Sequence, residues 1–181
     1  MNDPEKHALF DKAIMRIFSG SSYTIITAFI DKKAMLKQDR WSNLEPYHFL
    51  MDVLVEKYVQ FLERRDSIGD IMPEGRKGKK DQRLQKVFAS TRKNGTFYVG
   101  SKRICAKIPS SNLKIRYKPD NIAGLQLCDL LAHPSHMIIR ERLDHPVILG
   151  SFCGQLKTLL MQEKYDRSAN GTILGYGMKW L

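Results

Sequence analysis

Three polar side chains interrupt a stretch that is otherwise apolar. Ala123, Leu125, Leu127, Cys128, Leu130, Leu131 and Ala132 are broken only by Gln126, Asp129 and His133. Spacings of three and four put those three on one face of a helix. A carboxylate there costs free energy unless water, a cation or a metal ion takes its charge. Glu74 is a second candidate. It ends a short predicted strand just before Arg76-Lys77-Gly78-Lys79-Lys80, and open α/β sheets place ligands beyond the carboxyl ends of strands. Carboxylates holding two divalent ions about 4 Å apart activate water and stabilise a leaving oxygen in phosphoryl transfer. Such ligands suit hard Mg²⁺ or Mn²⁺.

Plainer readings stand beside these. Asp129 fits a narrow solvent stripe or an ion pair with Arg or Lys, and Glu74 fits a turn paired with Arg76. His133 and His136 could make a zinc face with Asp129, but Pro134 between them disturbs the helical geometry. The sequence has no P-loop, GxGxxG, GxSxG or HExxH signature.

Charge narrows the partner class. The chain carries +11, from 30 Lys and Arg against 19 Asp and Glu. Residues 74–118 hold 14 of the basic residues and only Glu74 and Asp81 as acids, a net +12; the remainder, 16 basic against 17 acidic, carries −1. Charge concentrated in this way points to a positive patch and a polyanionic partner, DNA or RNA. Arg76, Lys77, Lys79, Lys80 and Arg83 are the candidate backbone contacts. A solvated face that only aids solubility is the alternative.

These residues need a scaffold. Leu9, Ala13 and Ile17 with Phe10, Ile14 and Phe18 predict a helix over 5–18, opened by Asp3-Pro4. Residues 23–30 are β-branched and aromatic and predict a strand buried on both faces, closed by Asp31-Lys32-Lys33. Phe49, Leu50, Val53, Leu54, Tyr58, Phe61 and Leu62 form the stripe of a helix over 47–64. Residues 69–74 read as a strand and 76–80 as a basic loop. Asp81 is expected to cap a helix over 82–93 with Leu84, Val87 and Phe88 inward, stopped by Asn94-Gly95. Residues 96–99 read as a third strand, with short strands near 104–108 and 113–117. A helix over 121–132 meets a break or kink at Pro134, with more helix over 135–142. A last helix covers 147–164, and residues 171–181 read as a closing strand. The alternation of strands and helices indicates an α/β protein.

Length and composition bound the class. The chain's 181 residues, 43% hydrophobic and 27% charged, suit one domain spanning 1–181. No apolar run is long enough to cross a bilayer, and the N-terminus lacks a signal-peptide layout. Cys105, Cys128 and Cys153 form no CxxC and cannot all pair. They read as core fillers in a reduced, cytoplasmic protein.

Four stretches resemble a family. They are Tyr47-His48-Phe49-Leu50 opening a helix to Leu62-Glu63-Arg64; Glu74-Gly75-Arg76 followed by Asp81 and Leu84; Asn121 through Pro134; and Gly175-Tyr176-Gly177-Met178-Lys179-Trp180. Together they are similar to the bacterial and phage-borne, mobile-element-associated domain of unknown function 3800, over nearly the whole chain. Gln126-x-x-Asp129 matches that family's C-terminal QxxD motif. The resemblance implies a ribonuclease H-like fold, a mixed sheet with helices on both faces, and metal-dependent nuclease chemistry. By position Glu74 and Asp129 would bind Mg²⁺ or Mn²⁺, with Gln126 and His133 orienting groups nearby. The family's N-terminal Asp-Glu strand has no counterpart, so an N-terminally shortened chain is expected. Its unpaired sheet edge would recruit a second copy or another partner. A non-catalytic nucleic-acid-binding or interaction module is the rival expectation.

Overall fold

The computed structural model describes residues 3–31 and 46–180. Lys32, Lys33 and Leu181, expected at strand ends, and the side chains of Tyr47 and His48 lie outside the description. The chain is α/β and mostly helical. It divides into two compact units, Met1–Ile25 with Cys128–Asp166, and Ile26–Leu127 with Arg167–Leu181.

The smaller unit contains α1 (Pro4–Gly20), as expected. Asp3 accepts from the Glu5 and Lys6 amides while Pro4 takes the first turn, so the orphan donors of the helix start are met. Only one edge of the α1 stripe is covered: Phe18 is buried, while Leu9, Phe10 and Ile17 are 68%, 56% and 56% exposed. A long helix, Ala123–Arg142, begins in the larger unit and continues here. It runs across Pro134 as one helix, so of the expected break or kink the break does not occur. Within this unit its buried residues are Leu131, Pro134, Ser135, Ile138 and Ile139. The helix Ser151–Leu159 passes into a five-residue π-helical turn, Leu160–Lys164, a later start than the sequence suggested. Lys164 is buried, and its amine donates to the Ser19 and Ser21 carbonyls, each at 3.1 Å, at the end of α1. A cation there answers the negative end of the helix dipole.

In the larger unit, β1 (Thr27–Phe29) and β2 (Met178–Trp180) form a parallel pair. Strand β1 is shorter than expected and only half-buried, correcting the two-sided burial read from residues 23–30. Its apolar composition specified a strand but not a neighbour on each face. The core of the unit is helical. On α2 (Pro46–Arg64), Met51, Val55, Val59 and Leu62 pack against Leu84 and Phe88 of α3 (Lys79–Asn94) and Ile104 of α4 (Ser101–Lys107). Leu54, expected inward, is exposed, because α2 carries apolar residues around most of its girth and periodicity alone does not choose the face.

Further expectations fail here. Residues 96–99 form a turn rather than a strand: Gly95 adopts φ +79°, and the Thr96 amide donates to the Val99 carbonyl at 2.9 Å. Residues 104–107 belong to α4. Residues 69–74 and 113–117, both expected as strands, are not strands: they lie side by side in parallel and share only the isolated bridge Glu74–Arg116. The Lys114 amide donates to Ile71 O, Arg116 to Pro73 O and Gly75 to Arg116 O, at 2.9, 3.1 and 2.7 Å. The 123–142 helix is labelled α5 below, and Ser151–Leu159 α6.

Candidate nucleic-acid interface

The basic loop 75–78 is shaped by one acid; Lys79 and Lys80, expected in the loop, already belong to α3. Lys77 and Gly78 adopt φ +63° and +66°, a reversal that turns successive amides inward. The Asp81 carboxylate accepts from Arg76 N at 2.7 Å, Lys77 N at 2.9 Å and Tyr117 Oη at 3.1 Å. The Arg76 amide, then Tyr117 and Lys77, hold its carboxyl below the usual range. Asp81 was expected as a cap; it lies inside the first turn of α3 and ties down the preceding loop instead. Gly75 is required beside it. A Cβ at that position would lie 2.4 Å from the Tyr117 ring and 2.8 Å from Ile115.

Helix α3 divides its faces by charge. Asp81, Leu84, Phe88 and Thr91 are buried on one side. Lys79, Arg83, Lys86, Ser90 and Lys93 are exposed on the other, at spacings of three and four that keep them in line for about 21 Å. Lys79, Lys80, Lys86, Lys93 and Lys102 form no ion pair with a described residue. Other cations of the segment are structural. Arg103 grips Glu63 through two bonds of 2.9 and 2.7 Å, and Lys114 pairs with Asp70 at 2.5 Å. Arg92 donates to the Ile108 and Pro109 carbonyls.

The sequence signalled the charge but not two aromatic rings that share this region. Phe97 and Tyr98, expected in a strand, are 89% and 67% exposed. Their ring centroids are 4.8 Å apart in an edge-to-face arrangement.

The candidate catalytic residues are differently placed. Glu74 bridges to Arg116 through its backbone and its side chain is exposed. It belongs to the larger unit, whereas Asp129 and His133, both exposed on α5, belong to the smaller. Gln126 is exposed and donates to Asn121 Oδ1. Glu74 and Asp129 form no ion pair with a described residue, so the Glu74–Arg76 pairing weighed above is not formed. Cys105 and Cys128 are exposed and Cys153 is half-buried, correcting their reading as core fillers. Among the described residues no three His, Cys, Asp or Glu side chains are grouped to hold a metal ion. No described helix is long and apolar enough to cross a membrane.

The chain matches no family model, no curated protein and no solved structure. The residues themselves therefore carry the functional reading.

Proposed function

We propose that this chain binds nucleic acid through residues 74–118. The observation that carries the reading is the cationic line Lys79, Arg83, Lys86 and Lys93 along the exposed face of α3, next to the loop that Asp81 orders. A polyanion neutralised along such a line releases its counterions, so affinity falls steeply with salt. The test is fluorescence anisotropy with labelled DNA and RNA across a salt series. Joint replacement of Lys77, Lys79 and Lys80 by Ala should weaken binding and reduce the log–log salt slope by about 2–3, at roughly 0.7–0.9 per lost phosphate contact. A triple variant that binds like its parent would reduce the patch to a solubility feature.

A second reading rests on the exposure of Glu74 and Asp129, neither of which pairs with a cation among the described residues of a strongly basic chain. It is metal-dependent phosphodiester hydrolysis in a relative of the domain of unknown function 3800 family, with a ribonuclease H-like layout. Gln126 and His133 would orient groups beside Asp129, and Mg²⁺ or Mn²⁺ would need further ligands. Self-association through the edge of the β1–β2 pair belongs to the same reading.

A further inference from the structure

The turn between α3 and α4 presents two aromatic rings to water and is itself firmly held. Val99 is fully buried as its anchor. Its amide donates to Thr96 Oγ1 at 3.1 Å. Ser101 Oγ donates to the Arg92 carbonyl at 2.7 Å, closing the turn onto the end of α3. Arg103, already fixed by Glu63, donates to the Tyr98 carbonyl at 3.3 Å. Phe97 and Tyr98 are therefore displayed by a braced backbone. Exposing large rings costs solvation free energy, and their mutual edge-to-face contact covers only part of that surface.

Charge supplies the identity of the occupant. Lys93 lies in the last turn of α3, just before the rings, and Lys102 in the first turn of α4, just after them. Both are exposed. Lys86 and Lys79 extend the cationic line back along α3. Aromatic rings beside a track of cations match a single-stranded nucleic acid, whose bases offer faces for stacking while its phosphates follow the cations. A duplex hides its base faces and would use the cations alone.

We propose that Phe97 and Tyr98 are a base-stacking platform for single-stranded nucleic acid, whose backbone runs along the Lys79–Lys93 line of α3. The proposal rests on the nucleic-acid-binding reading above and adds strand state to it. The platform confers preference for single strands, and the lysines confer affinity common to both forms.

The experiment compares a labelled 15-nucleotide oligo(dT) with a duplex of the same length, binding the full chain and the variants Phe97→Ala, Tyr98→Ala and both together. Thermal melts establish that the variants are folded. Each Ala substitution should weaken oligo(dT) binding by ~5- to 150-fold, the range of one lost base stack, with the salt slope and duplex affinity unchanged. Tyr98→Phe should restore binding and Tyr98→Leu should not, because stacking needs a ring. A double variant that binds oligo(dT) like the parent overturns the platform and leaves nucleic-acid binding standing. A parent that binds neither probe overturns both. Loss of a self-associated species in the double variant, without oligonucleotide binding by the parent, would assign the rings to protein contact and overturn the proposal.

Discussion

Tyr117 donates from its hydroxyl to Asp81 Oδ2 at 3.1 Å, joining residues 36 positions apart. The bond fastens the extended segment 113–117 to the first turn of α3, and the same carboxylate gathers the loop that carries Lys77. An acid inside the most basic part of the chain is thus a structural fixture, and its loss should be felt at the surface.

Asp81→Ala should lower the thermal midpoint and weaken nucleic-acid binding together, because three donors lose their acceptor and the loop its shape. The wild-type dependence on pH has a definite sign. The native carboxyl is held below its unfolded value of about 3.9, so its stabilisation is present above that pH and is lost as pH falls through the native value. Urea midpoints measured from pH 6 down to 3 should fall at the acid end, and less so in Asp81→Asn.

Glu56 should show the opposite sign. It is buried on α2, and burial pushes its carboxyl above the ordinary range, against the pull of the Thr96 hydroxyl and nearby lysines. The folded state therefore holds the proton more tightly than the unfolded chain, whose value is about 4.3. Stability from this group is full below that pH and declines as pH rises through the native value. Glu56→Gln should raise the urea midpoint at pH 7 and change it little at pH 4.

Ile104 is fully buried in the helical core. Ile104→Ala should cost about 2–5 kcal/mol of unfolding free energy, from lost burial and the cavity left behind. Phe97→Ala, at an exposed position, should stay within about 0.5 kcal/mol in the same denaturant titration.

Metal chemistry makes a separate prediction. On the nuclease reading, which offers only Glu74 and Asp129 as ligands, Mn²⁺ titration calorimetry should show weak binding, and any Mg²⁺- or Mn²⁺-dependent cleavage should be feeble. Asp129→Asn should abolish what activity there is. Robust cleavage that survives both Asp129→Asn and Glu74→Gln would place the site elsewhere.

Among the described residues no third strand joins β1 and β2. Open strand edges recruit further strands, so light scattering across a concentration series should show self-association. A monodisperse monomer at the highest concentration would count against it.

The sequence was most legible where one local rule decided the outcome. Asp3-Pro4 set the start of α1 and Asn94-Gly95 the end of α3, and Leu84 and Phe88 face inward as their spacing required. It was least legible where tertiary placement chose between equal local options. Thr96-Phe97-Tyr98-Val99 has strand composition, yet the positive φ at Gly95 and the Thr96–Val99 bond turn it back. Cys128 sits in an apolar run, yet it is exposed, because composition alone does not say which residues of the run face the core. The site was legible as charge concentrated in residues 74–118, whereas the line on α3 depends on the helix starting at Lys79, and the role of Asp81 on Tyr117, which no local pattern brings near.

The pairing of Thr27 with Met178 has a consequence for synthesis. The two partners are far apart in sequence, so β1 waits without its complement while everything between them is made. The nearby helices α2, α3 and α4, joined by contacts between close neighbours in sequence, can assemble during that interval. Closing so long a loop is slow relative to local contacts. A newborn chain should therefore acquire its basic surface before its sheet, with α3 folded before β2 has been made.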